Sequence, residues 1–459
     1  MISLNKYGAL FAILVSLLGS APVAGPDAQQ QEPPAQAPAQ AQDVERVSSA
    51  ALPARIAFVS EQRLWMLDAR DPAAQPVPLT EPGVTQIVGW SHDGQWLAYL
   101  YVPPEDPQKG PFLHVVNQDA SRRAQVADQP VKGRPAWSPV DNRLLYLTAA
   151  AANEQAEARL ATLADNGSIQ SETLLRGDAV VELAWSPDGQ SIAVSEARTA
   201  DEPLRIRRLS RDGTWSVLYT GESPQQTDEL FVREAAGLTW SPNGEYLAYF
   251  ALPNAASLAA DGVPLHLLEL ATGETKKVGE GLAYPEWLAW SDDSRQLAFI
   301  QGSGREATRN KQLQLFQPAD GKLAAAGQAG YVDTAPVAAD ASGSFLFVRG
   351  PEAAWGEAAQ PEAAQPAGVY VPGQRIWRQS AEGTQSALTT GPTDTADYEP
   401  HVSPDGKQLL YVRLSAADRG SLYFKPLAGS AESELIRGLQ ISPGFYGNYL
   451  PRSVAPYWY

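Results

Sequence analysis

Proton-transfer chemistry in this 459-residue chain would have to come from carboxylates and four histidines. Cysteine is absent, and with it every thiolate nucleophile, thiolate metal site and disulfide. His92 falls in a turn phrase, His114 and His266 fall in apolar strand-like runs, and no two histidines form a metal-binding doublet. His401, directly before Val402, is the histidine expected near the centre of the fold. Glu182 and Glu399 stand at corresponding places in two copies of a repeat and are the candidate acid and base. No Gly-x-Ser-x-Gly elbow and no phosphate-cradling glycine loop occurs. No residue is therefore assigned a catalytic role, and neither a metal nor a cofactor is expected.

Binding chemistry is better represented. Arg134, Glu182, Trp287 and Glu399 each stand three places before a recurring motif position, while Tyr284, Glu286, Tyr331, Asp333 and Tyr398 lie in adjoining connections with Arg233 and Glu234. Aromatic rings beside carboxylates can clasp a sugar, a peptide or a basic partner. The plainer role of each such residue is to pack and solvate a rim. Either role requires a scaffold that gathers residues spread over more than 260 positions, and the repeat supplies it.

Five near-copies of one phrase punctuate the chain, beginning at Trp90, Trp137, Trp185, Trp240 and Trp290, at spacings of 47, 48, 55 and 50 residues. The fullest copy is Trp185-Ser186-Pro187-Asp188-Gly189. Degenerate copies follow at Ala338 and at Val402-Ser403-Pro404-Asp405-Gly406. Each is succeeded by a short β-rich run such as Tyr246 to Phe250, a third strand such as Leu313 to Gln317, a tight Asp/Gly turn and a fourth short strand. Four antiparallel strands in about fifty residues, repeated, describe a propeller blade. In the phrase itself the Trp is expected to wedge buried between blades, while Pro, Asp and Gly build the turn.

This order of Trp-Ser-Pro-Asp-Gly, apolar strand, second apolar strand and turn resembles the WD40-like repeat of the TolB-type propellers, which also occurs in propeller domains of prolyl oligopeptidase-like enzymes. The resemblance covers about residues 52 to 445 and implies an all-β propeller whose partner is another envelope protein. TolB-type proteins carry an α/β domain ahead of the propeller, where this chain has a Gln/Ala/Pro-rich stretch. The hydrolase half of the peptidases has no counterpart after the repeats.

Seven units plus a composite give eight blades, with seven as the alternative. The composite pairs residues Arg55 to Thr80 with a returning strand, expected at Leu439 to Gly444, that closes the ring and removes two sheet edges. In this topology the long connections gather on one face: Val102 to Pro111, Gly221 to Ala236, Leu252 to Val263, Gly302 to Asn310, Pro351 to Gln374 and Gly391 to Glu399. Long loops on a rigid scaffold are where binding is concentrated. Residues 446–459 form an aromatic tail, read as a clasp across the first blade or as an exposed peptide.

Lys6 and the apolar run from Ala9 to Gly19 give residues 1–24 the layout of a signal peptide or, if uncleaved, a membrane anchor, and residues 25–51 read as a disordered linker. A net charge of −17, from 35 basic and 52 acidic residues, argues against nucleic acid and anionic lipid as partners. The expectation is an exported, periplasmic, cell-surface or extracellular monomer that binds an envelope or extracellular protein, or a small ligand in the channel. The competing expectation is a carbohydrate-active lyase or hydrolase using channel carboxylates.

Overall fold

The computed structural model describes residues 44–149, 155–225, 229–352, 370–441 and 452–459. The leader, most of the linker, the low-complexity stretch 353–369 and the tail residues 446–451 lie outside the described residues. Those described form eight antiparallel sheets in a ring, seven of four strands and one of five, with each sheet one blade. The inner strands of blades two to eight are Val84–Trp90, Val131–Trp137, Val180–Trp185, Val232–Trp240, Leu288–Trp290, Tyr331–Ala338 and Ala396–Val402. The seven-blade alternative is thereby replaced.

Alternating side chains explain how the ring is filled. A strand has a period of two, so each sheet presents one apolar row to the blade before it and another to the blade after it. Leu247 and Tyr249 face blade four, whereas Ala248 and Phe250 face blade six. The interface between blades one and two is filled by Leu64, Met66, Leu97 and Tyr99, and that between eight and one by Phe58, Leu410 and Ile436.

Ring closure differs from the sequence expectation in one respect. The inner strand of blade one is Val454–Trp458, which pairs with Ala54–Ser60, while Leu439 and Gln440 continue the fourth strand of blade eight opposite Gly420 and Arg419. Ser442-Pro443-Gly444 imitates the turn phrase in sequence, but those residues lie outside the described ones. Val454 and Ala455 instead supply the buried apolar pair that an inner strand needs. The tail is thus part of the first blade's sheet rather than a clasp laid across it. At the other end Glu45–Arg46 adds a fifth strand to blade eight beside Ser433–Gln440.

The turn phrase works as its residues suggest. Ser186 Oγ donates to Asp188 Oδ1 at 2.6 Å, the same carboxylate oxygen accepts from Gln190 N at 3.0 Å, and Ser191 N donates to Ser186 Oγ at 2.9 Å. The equivalent bonds recur around Ser91, Ser241, Ser291 and Ser403. Each Trp indole then donates to the backbone carbonyl of the preceding blade: Trp90 to Ala455, Trp137 to Gly89, Trp185 to Ala136, Trp240 to Ala184 and Trp290 to Thr239, over 2.8 to 3.4 Å. Of these five, Trp290 is buried and the others, Trp185 included, are half-buried; Trp90 and Trp137 line the central channel.

Candidate functional site

The site begins with an irregularity of the inner strands. Between Ala236 and Thr239, Thr334 and Val337, and Tyr398 and His401 the pairing register slips, and the residue at each bulge takes a positive φ: Gly237 at 66°, Ala335 at 47° and Glu399 at 53°. Gly237 is needed on two counts, since a Cβ there would also lie 2.9 Å from the Phe250 ring. Such bulges re-aim side chains and leave backbone N–H groups without a ladder partner.

Two predicted carboxylates sit at these irregularities, Glu182 facing the bulge of blade five and Glu399 forming that of blade eight. Glu182 of blade four accepts from Gly237 N at 2.6 Å and Leu238 N at 3.0 Å in blade five. Glu399 of blade eight accepts from Ser453 N at 2.9 Å, Ser453 Oγ at 2.6 Å and Val454 N at 2.9 Å in the closing strand. Both are inter-blade clasps, separated by an open channel rather than paired as acid and base. Burial pushes the Glu182 carboxyl above its ordinary range, against the pull of Arg134 and the two N–H donors. His401 Nε2 lies 3.3 Å from Glu399 Oε1, so the one histidine expected at the centre is held by a carboxylate already bound to backbone.

Arg134 reaches furthest. Its Nη2 meets Glu286 Oε1 at 2.9 Å, joining blade three to the 3₁₀ turn Pro285–Trp287 that leads into blade six. Two blades lie between these partners along the ring, so the bridge crosses the mouth of the channel. Two cavities open beneath and beside it. The central one measures about 730 Å³ and is walled by Trp90, Trp137, Glu182, His401 and Trp458. The second, about 400 Å³, lies among blades six, seven and eight, walled by Pro285, Trp287, Thr308, Pro336, Tyr398 and Arg452. Arg134, Ala338, Pro400, His401 and Arg452 line both. Ala307, Thr308, Val371 and Gln374 come from long connections, which places the side cavity on the long-loop face.

The remaining predicted residues divide. Tyr398 lies in the side-cavity wall, where its hydroxyl accepts from Val371 N at 3.1 Å and burial drives its pKa upward. Tyr284 stands edge-on to Trp287 at 4.9 Å, behind that wall. Tyr331 is exposed and lines neither cavity. Asp333 is sealed in a two-bond pair with Arg349, at 2.6 and 3.0 Å, and takes no part in the mouth. Arg233 and Glu234 pair with each other at 3.3 Å. Among the described residues no group of three His, Cys, Asp or Glu is placed to hold a metal ion.

Three contributors were not legible. Lys311 is fully buried, and its ammonium donates to the carbonyls of Ser303, Gly304 and Arg309 at 2.9 to 3.0 Å, pinning the loop that carries Thr308. Burial draws this ammonium down to about 8. Arg452 arrives at the mouth from the tail. Leu230, Val232 and Leu258 are exposed by 61%, 41% and 47%; Leu230 precedes and Val232 opens the inner strand of blade five, Leu258 lies in the short helix Ala256–Ala260 of its next long connection, and hydrogen bonds between Asn254 and residues 229 and 231 tie the two segments together. No spacing rule singles these residues out, because their roles depend on loop conformation.

The architecture is that of an eight-bladed β-propeller with a loop-lined mouth on one face. It is similar to a crystal structure of dipeptidyl peptidase 4 from Porphyromonas gingivalis at TM-score 0.53 and 10% identity, over 85% of this chain and 60% of that one. It is similar to a eukaryotic initiation factor at TM-score 0.51 and 14% identity, over 90% of both chains. TolB from Acinetobacter baumannii matches at TM-score 0.34 and 14% identity, over 81% of both. This chain thus spans 60% of the peptidase's length, and at these identities the likeness is one of fold. No family model and no curated protein matches the chain.

Proposed function

We propose that this chain is an exported, monomeric, non-catalytic binding module that holds an envelope or extracellular protein partner on its long-loop face. The observation that carries the reading is the set of exposed apolar side chains Leu230, Val232 and Leu258, on two segments of blade five that Asn254 ties together beside the long connections. Contiguous exposed apolar side chains on a folded monomer mark interaction surfaces. Support comes also from the two candidate acid–base carboxylates, Glu182 and Glu399, each engaged by backbone donors of the next blade. Lys6 and the apolar run Ala9 to Gly19 support export, and the net charge of −17 favours a partner that is not itself strongly acidic.

The test is site-specific photo-crosslinking of the full chain in its host. A crosslinker at Leu230 or at Leu258 captures one discrete protein, and the change at the other of the two positions, Leu258→Asp or Leu230→Asp, abolishes capture. A crosslinker at Val140, on the opposite face and itself 40% exposed, captures nothing. Equal capture from both faces would refute the reading.

A further inference from the structure

The two cavities share Arg134, His401 and Arg452 but differ in charge. In the wall of the side cavity the two guanidiniums meet two carboxylates, Glu286 and Glu399. In the wall of the central cavity the same two guanidiniums meet one, Glu182. That carboxylate is already engaged, since it accepts from Gly237 N and Leu238 N, and burial pushes its carboxyl above the ordinary range. His401 brings no negative charge, and its Nε2 lies against Glu399 Oε1. The central cavity is therefore lined by a surplus of positive charge, in a chain whose net charge is −17. A cleft lined by one sign of charge concentrates ligands of the other.

Arg452 supplies the surplus. It is exposed, it lines both cavities, and its side chain makes no hydrogen bond or ion pair with a described residue. Every other fully charged side chain in the two walls is answered within the fold: Arg134 and Glu286 by each other at 2.9 Å, Glu182 and Glu399 by backbone N–H groups. Among the described residues Arg134 commits only Nη2 to its bridge, which leaves further donors on its planar fork. A guanidinium matches the paired oxygens of a carboxylate or a phosphate. Trp90, Trp137 and Trp458 belong to the same wall, and the first two indoles are fixed by bonds to Ala455 O at 2.9 Å and Gly89 O at 2.8 Å. The volume of about 730 Å³ leaves room for more than an anionic group alone.

We infer that the central cavity binds a small organic anion, a carboxylate or a phosphate monoester, through Arg452, with Arg134 as a second donor. This site goes beyond the protein-binding reading and does not rest on it, because Leu230, Val232 and Leu258 line neither cavity.

The experiment titrates benzoate, phenyl phosphate and neutral benzamide into the full chain by calorimetry, the shared ring giving the rest of the wall the same contact in each. At least one of the two anions is expected to bind roughly ten- to a hundredfold tighter than benzamide, the range of a hydrogen bond to a charged group. Whichever anion binds tighter identifies the anionic group. Arg452→Gln should erase the preference and leave the melting temperature unchanged, since the side chain holds no described residue in place. Should Arg452→Gln fold poorly, Arg452→Lys, which keeps the charge and loses the fork, should weaken the preference without a loss of stability. Arg295→Gln changes an arginine that is 85% exposed and lines neither cavity, and should alter nothing. Absence of binding by both anions, benzamide bound as tightly as either, a preference intact in the Arg452 variants, or an equal loss in Arg295→Gln each overturns the inference.

Discussion

Blades two to six and blades seven and eight solve one problem differently. In the first group an indole N–H from each inner strand grips the preceding blade. Blades seven and eight have Ala338 and Val402 in that place, and each instead buries an ion pair between its first two strands. Arg349 meets Asp333 at 2.6 and 3.0 Å, and Arg413 meets Asp397 at 2.6 and 2.9 Å. Both guanidiniums reach beyond their own pair: Arg349 Nη2 to Ala326 O, in the connection from blade six, and Arg413 Nη2 to Thr390 O, in the connection from blade seven. The indole fills space as well as donating, while the ion pair lies away from the channel and leaves the inner end open. The side cavity sits at that open end.

The sharpest way to break this comparison is to remove one member of a pair. Asp397→Ala leaves Arg413 buried opposite Glu432 alone and should cost about 3 to 5 kcal/mol, read by chemical denaturation. Replacing both partners, as in Asp397→Leu with Arg413→Met, should restore most of that loss, because the pair's attraction is offset by its desolvation. A double variant as unstable as the single one would mean that the pair does more than fill its site.

Trp185→Ala comes next. The ring is half-buried and carries one bond to Ala136 O, so the loss should be about 3 kcal/mol, at the low end for a buried aromatic. Ala338→Trp runs the other way. An indole restored to blade seven and bonded to Ala289 O should add about 1 kcal/mol of stability while closing the side cavity, measured as a raised denaturation midpoint. A destabilised Ala338→Trp would show that blade seven has rearranged around its small residue.

The same contrast explains what the sequence disclosed. Fold and blade number followed from a phrase whose every residue has local work: Ser, Asp and Gly shape a turn within five positions, so spacing reveals them. The strand that closes the ring was misplaced because it pairs with a second strand from the other end of the sequence, Ala54–Ser60, so no turn phrase joins the two. Its mark is the buried pair Val454-Ala455, which a short apolar run cannot distinguish from other tail residues. Glu182 and Glu399 were legible as residues facing the mouth but not as clasps, since their partners are backbone N–H groups of another blade, at a bulge for Glu182 and at the start of the closing strand for Glu399. Thr308 and Lys311 gave no signal, because the cage that positions them forms only when the loop folds back on its own carbonyls.

The smallest effect separates the turn from the clasp. Blade eight has lost its indole yet keeps the turn, with Ser403 Oγ donating to Asp405 Oδ1 at 2.6 Å and Lys407 N donating to the same oxygen at 3.1 Å. Ser403 and then Lys407 hold the Asp405 carboxyl down to about 2, from an ordinary value of 3.8. A carboxyl depressed in the folded state binds its proton more weakly than in the unfolded chain, so its contribution is complete above 3.8 and disappears as the pH falls toward 2. Asp405→Asn keeps an oxygen acceptor and removes the titration. The variant's melting temperature should therefore fall less steeply than wild type between pH 4 and 2 and run parallel to it above pH 5. If the two curves diverge above pH 5 instead, the charge on Asp405 acts on something other than its turn, and turn and clasp are not the independent devices that blade eight implies.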